Sequence, residues 1–240
     1  MSNNSPRGWL GILSGSPKCG KTHLALSASR DTNVFLFDTE NGSEYIIDKH
    51  VDKKSNFKVH AVQIGSWLEY KEKLEESMGK MKAGDLVVID SFRDMITLGQ
   101  EFKDEELKHS KKPFYWKSGQ ANKMLSTMLK FLLQVNVNVL ITAGMKDIYK
   151  NDQFTGKRDV NLRDEFIHLA DFIGVYRQEL DNWDFSVSRW KLHKQNWMIE
   201  PDPYSSSLYE IVDGLRNPVA LEDGPLYGNE YKFRVNPKHR

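Results

Sequence analysis

Gly15-Ser16-Pro17-Lys18-Cys19-Gly20-Lys21-Thr22 has the spacing G-x-x-x-x-G-K-[ST], and it lies between an apolar run at 9–13 and a segment with helical periodicity at 21–29. That placement restricts the fold more than any other feature of the chain. Such a loop works when a buried strand delivers it and a helix opens at its end. The loop N–H groups and the helix N-terminus then converge on phosphate oxygens. Glycines at 15 and 20 keep the backbone path clear of side chains. Lys21 can then reach the β- and γ-phosphates of a nucleoside triphosphate, and Thr22 can offer its hydroxyl to a divalent cation. All eight residues are read as the nucleotide-binding loop, with ATP and Mg²⁺ as the expected cofactors. Cys19 lies near a helix N-terminus, a position that favours a thiolate; the plainer reading is a small residue that fits the loop.

Further apolar runs at 34–37, 86–89 and 137–142 read as strands, and 58–64 is a candidate strand between the first two. Between them, 67–82 is amphipathic with Leu68, Leu74 and Met78 as its inner face, and 119–134 repeats Met124, Leu125, Met128, Leu129, Leu132 and Leu133 at helical spacing. Strands alternating with helices predict βαβ units: an α/β P-loop NTPase fold, a mostly parallel sheet flanked by helices. Residues 99–117 read as part helix and part mobile segment, and 146–164 as a long loop. Runs at 172–176, 185–192 and 197–199 read as closing strands. The ATPase core is expected over 1–200, with 201–240 an irregular C-terminal extension ending in a basic tail.

Hydrophobic residues make up 39% and charged residues 28%, an ordinary globular balance, and the net charge of +1 means that any nucleic-acid surface must be a local patch. The single cysteine excludes an internal disulfide, and the scattered histidines give no structural metal site. No apolar run approaches the roughly 18 residues of a membrane span. A cytoplasmic protein is expected.

Two carboxylates complete the predicted site. Leu86-Val87-Val88-Ile89 ends in Asp90, where ligands bind at the carboxyl ends of parallel strands, so Asp90 is expected to hold Mg²⁺ with Thr22. The next residue is Ser91, so a water-activating base must come from elsewhere. The strand at 34–37 runs into Asp38-Thr39-Glu40-Asn41-Gly42, which makes Glu40 the expected base and Asp38 the second choice. The catalytic set is then Lys21, Glu40 and Asp90. Thr142, at the tip of the strand 137–142, is a candidate sensor of the γ-phosphate.

The loop 15–22, Phe35-Leu36-Phe37-Asp38-Thr39-Glu40, Val87-Val88-Ile89-Asp90-Ser91 and Val139-Leu140-Ile141-Thr142-Ala143 together resemble the RecA-like P-loop ATPases. They resemble in particular the compact phage-encoded "AAA domain" nucleotide-binding proteins, some of which act with single-strand-annealing recombination systems. The resemblance covers about 9–176. It implies that Glu40 is the catalytic base, and that the protein assembles as a ring or filament of like subunits with DNA as partner. RecA-like recombinases place a glutamine near the end of the sensor strand to couple nucleotide to DNA. This chain has Ala143 and Gly144 there, so coupling, if present, is built differently.

Two segments interleave cations and rings as single-strand binding requires. One is 108–117, with Lys111, Lys112, Tyr115 and Trp116; the other is 146–163, with Lys150, Lys157 and Arg158. The expected function is an ATPase of DNA recombination or replication, contacting single-stranded DNA or a DNA-processing protein. A nucleoside or nucleotide phosphotransferase is the alternative, with Lys157, Arg158 and Arg163 as a lid. A nucleotide-dependent assembly or packaging module is a third reading.

Overall fold

A computed structural model describes residues 7–50, 56–108, 114–179, 182–190, 196–199, 208–209, 212 and 230–233. Strand β1 (Leu10–Ser14) leads through the loop into α1 (Lys21–Ser27), and β2 (Val34–Asp38) is followed by α2 (Glu44–His50). Next come β3 (Val59–Gln63), α3 (Trp67–Met78), β4 (Leu86–Asp90), α4 (Phe92–Glu106), α5 (Phe114–Gln134) and β5 (Asn138–Ala143). A hairpin, β6 (Met145–Lys150) and β7 (Gln153–Val160), precedes α6 (Asp164–Leu169) and β8 (Phe172–Glu179). Strands β9 (Asn182–Trp190), β10 (Asn196–Ile199) and β11 (Glu230–Phe233) close the main sheet.

The sheet order is β11-β10-β9-β8-β1-β5-β4-β2-β3. From β8 to β3 every pairing is parallel, and the antiparallel strand β9 begins the outer extension. Except for the edge strand β3, the parallel strands are buried on both faces, which is why they read as unbroken apolar runs. Alternate residues feed two cores. Ile12, Phe35, Phe37, Val87, Ile89 and Ile141 pack with α3, α4, α5 and α6; Leu13, Val34, Leu36, Val88 and Leu140 pack with α1.

Helix starts follow local chemistry. Ser66 caps α3 by accepting from Glu69 N, and Glu69 accepts from Gly65 N at 2.8 Å. Ser91 caps α4 in the same way, accepting from Asp94 N. The inner face of α3 is Trp67, Tyr70 and Leu74, whereas Leu68 is exposed, contrary to the sequence expectation. The 67, 70, 74 spacing follows the helix, and position 68 falls outside that stripe.

The long loop expected at 146–164 is instead the β6–β7 hairpin followed by the first residue of α6. Its strands are exposed along nearly their whole length, so no hydrophobic alternation marks them. The signal lies in the turn: Asn151 and Asp152 sit at φ 52° and 60°, between the paired Lys150 and Gln153. Two left-handed residues are what a two-residue type I′ hairpin turn demands. The segment 99–117 begins within α4, and α5 starts at Phe114, earlier than expected; 109–113 lie outside the described residues. Ordered structure continues past residue 200. Leu208 and Val212 are buried in the α1-side core, and β11 pairs parallel with β10.

Candidate active site at the carboxyl rim of the sheet

Register brings the strand ends to one rim. Ser14 pairs with Ala143, and Asp38 with Asp90. At its centre Asp90 is buried and accepts two hydrogen bonds, from Thr22 Oγ1 to Oδ2 and from Thr142 Oγ1 to Oδ1, each at 2.5 Å. Thus the loop helix, β4 and β5 are tied together through one carboxylate. Thr142, expected as a γ-phosphate sensor, points its hydroxyl at Asp90.

Lys21 Nζ donates to Ser16 O at 3.0 Å and Gly15 O at 3.4 Å, and lies 3.8 Å from Cys19 Sγ. Gly15 is required by close approach: a Cβ there would lie 2.6 Å from Cys19 Sγ and 2.8 Å from Tyr176 Cβ. Gly20 stands at φ +100°, a conformation that disfavours side chains, and an added Cβ would meet no protein atom within 4 Å. Cys19 is buried, and burial pushes its thiol pKa up despite nearby Lys21. Both features fit the plainer reading of Cys19, a small residue filling the loop, over a reactive thiolate.

The two carboxylates after β2 part company. Asp38 is buried, with its oxygens accepting from Glu40 N and Ser43 N, both at 2.9 Å, so it shapes the loop into α2. Glu40 is exposed on the wall of a 740 Å³ cavity that Lys21, Thr22 and Asp90 also line. Burial raises its pKa above the usual glutamate value; the charges of Asp90 and Asp94 push the same way, Lys21 opposes, and Asp38 adds a smaller push. Thr39 between them is a residue that sequence reasoning missed. Its N–H donates to Asp90 O at 2.7 Å, and its hydroxyl accepts from Ser91 N at 2.9 Å, stitching the β2 loop to the end of β4.

Arg93, Asp94 and Thr97 also line the cavity and were not anticipated. The signal was available. A Ser-x-x-Asp pattern beginning directly after Asp90 marks a helix start, and positions 93, 94 and 97 then share a face. Asp94 accepts from Ser91 Oγ at 2.8 Å.

The residues suit a nucleotide and Mg²⁺. The cavity volume lies within the range of about 300–1,000 Å³ typical of small-ligand sites. The Thr22 hydroxyl and the Asp90 carboxylate are oxygen donors of the kind Mg²⁺ selects.

A protein-family model described as "AAA domain" matches residues 7–198. The chain belongs to the AAA domain family. A search of curated proteins returned no match. Family membership makes this an α/β P-loop NTPase fold of the nucleotide-binding ATPase type, with the loop 15–22, β4 and β5 all inside the matched segment.

None of the described side chains singled out for DNA lines this AAA-domain site. Lys111 and Lys112 fall outside the described residues, and Tyr115 in α5 and Lys157 in β7 have side chains outside them. Trp116 is partly exposed on α5. Lys150 is exposed at the hairpin turn, whereas Arg158 pairs with Asp147 across the hairpin at 2.8 Å. The hairpin also shows two exposed rings, Tyr149 and Phe154, with centroids 5.9 Å apart. No helix among the described residues is long and apolar enough to cross a membrane.

Proposed function

We propose that this chain is a cytoplasmic, Mg²⁺-dependent ATPase that works on DNA in recombination or replication, as a ring or filament of like subunits. The observation that carries the ATPase reading is the Thr22–Asp90–Thr142 linkage, with Glu40 facing the same cavity. Lys21 and the loop N–H groups orient the triphosphate. Thr22 and Asp90 would hold Mg²⁺ through their oxygens, and the ion would supply charge neutralisation at the phosphate oxygens. Glu40 accepts the proton of a water aligned on the γ-phosphorus, as the P–O bond to the leaving diphosphate breaks. The raised pKa of Glu40 suits a base more than an ordinary solvated glutamate would.

The DNA role rests on the hairpin. Tyr149 and Phe154 offer stacking surfaces, and Lys146 and Lys150 are exposed cations on the same hairpin. Its base is anchored to the nucleotide site by backbone. Gly144 O accepts from Ser14 Oγ at 3.0 Å and from Asn161 N at 2.9 Å, and Gly15 N donates to Ala143 O at 3.3 Å. Movement of the loop on nucleotide binding would thus reach the hairpin without a sensor-strand glutamine. As a lid for phosphotransfer the hairpin is less apt, because Arg158 is already paired with Asp147.

The Mg²⁺ assignment is tested with Asp90→Asn. ATP affinity should fall at least tenfold with Mg²⁺ present and change little in a chelator, because the lost charge acts through the cation. Equal losses in both conditions would make Asp90 a structural residue and remove the proposal's metal site.

A further inference from the structure

The structure assigns Arg93 as an in-cis ligand of the terminal phosphate of a bound nucleoside triphosphate. This inference rests on the ATPase reading above and adds to it a second cation from the chain, supplied by α4.

Four observations lead there. Arg93 lines the same cavity as Lys21, Thr22, Glu40 and Asp90. It is exposed, and among the described residues no carboxylate or carbonyl partners its guanidinium. Its neighbour Asp94, which would be the obvious counter-ion, is engaged with Ser91 instead. Arg93 also occupies the second position of α4, a helix of 15 residues. A cation there opposes the positive end of the helix dipole, so the position gives no benefit to the helix itself. A side chain that lacks a partner, disfavours its own helix and faces a nucleotide cavity has its natural counter-charge in the ligand.

The location selects which part of the ligand. Arg93 comes three residues after Asp90, just past the Ser91 cap of α4, and lines the cavity in which Asp90 meets Thr22. Glu40, the group assigned to the attacking water, lines the same cavity and feels the charges of Asp90 and of Arg93's neighbour Asp94. The phosphate beside both is the terminal one. A planar guanidinium can donate two parallel hydrogen bonds to its oxygens, which an ammonium cannot. Arg93 adds to Lys18, Lys21 and Mg²⁺ a further cation against the negative charge of Asp90, Asp94, Glu40 and the γ-phosphate.

The test compares equilibrium binding of ADP and of a non-hydrolysable ATP analogue, each with Mg²⁺, to the parent, Arg93→Ala, Arg93→Lys and Lys21→Ala. Arg93→Ala should lower the preference for triphosphate over diphosphate about tenfold, the scale of a charge-assisted hydrogen bond, with ADP affinity within twofold of the parent. Arg93→Lys should recover part of it. Thermal melting should be unchanged in Arg93→Ala, since an exposed side chain leaves no cavity. An unaltered triphosphate preference in Arg93→Ala, with Lys21→Ala still losing nucleotide, overturns the Arg93 assignment alone. If the parent binds neither nucleotide, or Lys21→Ala binds as the parent does, the ATPase reading fails and the Arg93 assignment with it.

Discussion

Glu40 and Asp38 stand two residues apart on one strand end, yet their surroundings give them different work. Asp38 spends both oxygens on the backbone N–H groups of Glu40 and Ser43, whereas Glu40 faces the cavity. Glu40→Gln should therefore keep ATP binding and lose hydrolysis by roughly two orders of magnitude, as expected for a positioned base. The sign of the pH dependence follows from the raised Glu40 pKa. Only the carboxylate accepts a proton. As pH falls through that raised value, turnover should fall too, at a higher pH than an ordinary glutamate would impose, and Glu40→Gln should lack this acid limb. A parental rate in Glu40→Gln, or an unchanged acid limb, would transfer the base role to another group. The residue types of this site were largely legible beforehand because motif spacing fixes them. Thr39 was not, because a hydroxyl that bridges two strand ends has no sequence signature. Its partner Ser91 lies 52 residues away, with Asp90 just before it.

Among the elements, the buried parallel strands were the most readable. Burial on both faces forces continuous apolar runs: those at 9–13, 34–37, 86–89 and 137–142 each ended within a residue or two of the strand they predicted, and that at 172–176 stopped three residues short of Glu179. The β6–β7 hairpin escaped because it has little buried face. Stability there comes from cross-strand pairs, such as Arg158 with Asp147 and Tyr149 with Phe154, and from an Asn151-Asp152 turn. Helix α2 escaped for a similar reason: it is one short stretch, with Ile46 and Ile47 only partly buried against the α1-side core. The hairpin's exposed rings lead to a separate prediction. Replacing Tyr149 and Phe154 together by Ala should abolish stimulation of ATP hydrolysis by single-stranded DNA and weaken binding to an oligonucleotide at least tenfold, on a scale of about 1–3 kcal/mol per stacked base. Basal hydrolysis should stay within twofold, since neither ring lines the nucleotide cavity. Undiminished oligonucleotide binding would remove the hairpin from the DNA surface.

At the scale of the whole molecule, chain far from the nucleotide loop completes the core beneath it. Leu208 and Val212 pack with Leu13, Leu24 and Phe172, Leu208 N donates to Ser27 Oγ at 2.9 Å, and Tyr209 OH donates to Gly84 O at 2.7 Å. Their weak periodicity in a Pro-, Gly- and Ser-rich stretch hid them, since two buried residues make no helical stripe. Leu208→Ala should cost about 2–5 kcal/mol in a denaturant titration, the range for a large-to-small change at a buried site. A loss below about 1 kcal/mol would mean that this segment does not hold the core. The same layout leaves the carboxyl rim of the sheet as the place where loop, carboxylates and hairpin base meet, and the claim that it hydrolyses ATP is open to direct measurement. Inorganic phosphate release from ATP should depend on Mg²⁺ in the parent, disappear in Lys21→Ala with the fold retained, and rise when single-stranded DNA is added. No release by the parent with or without DNA, or equal release by parent and Lys21→Ala, would contradict the account.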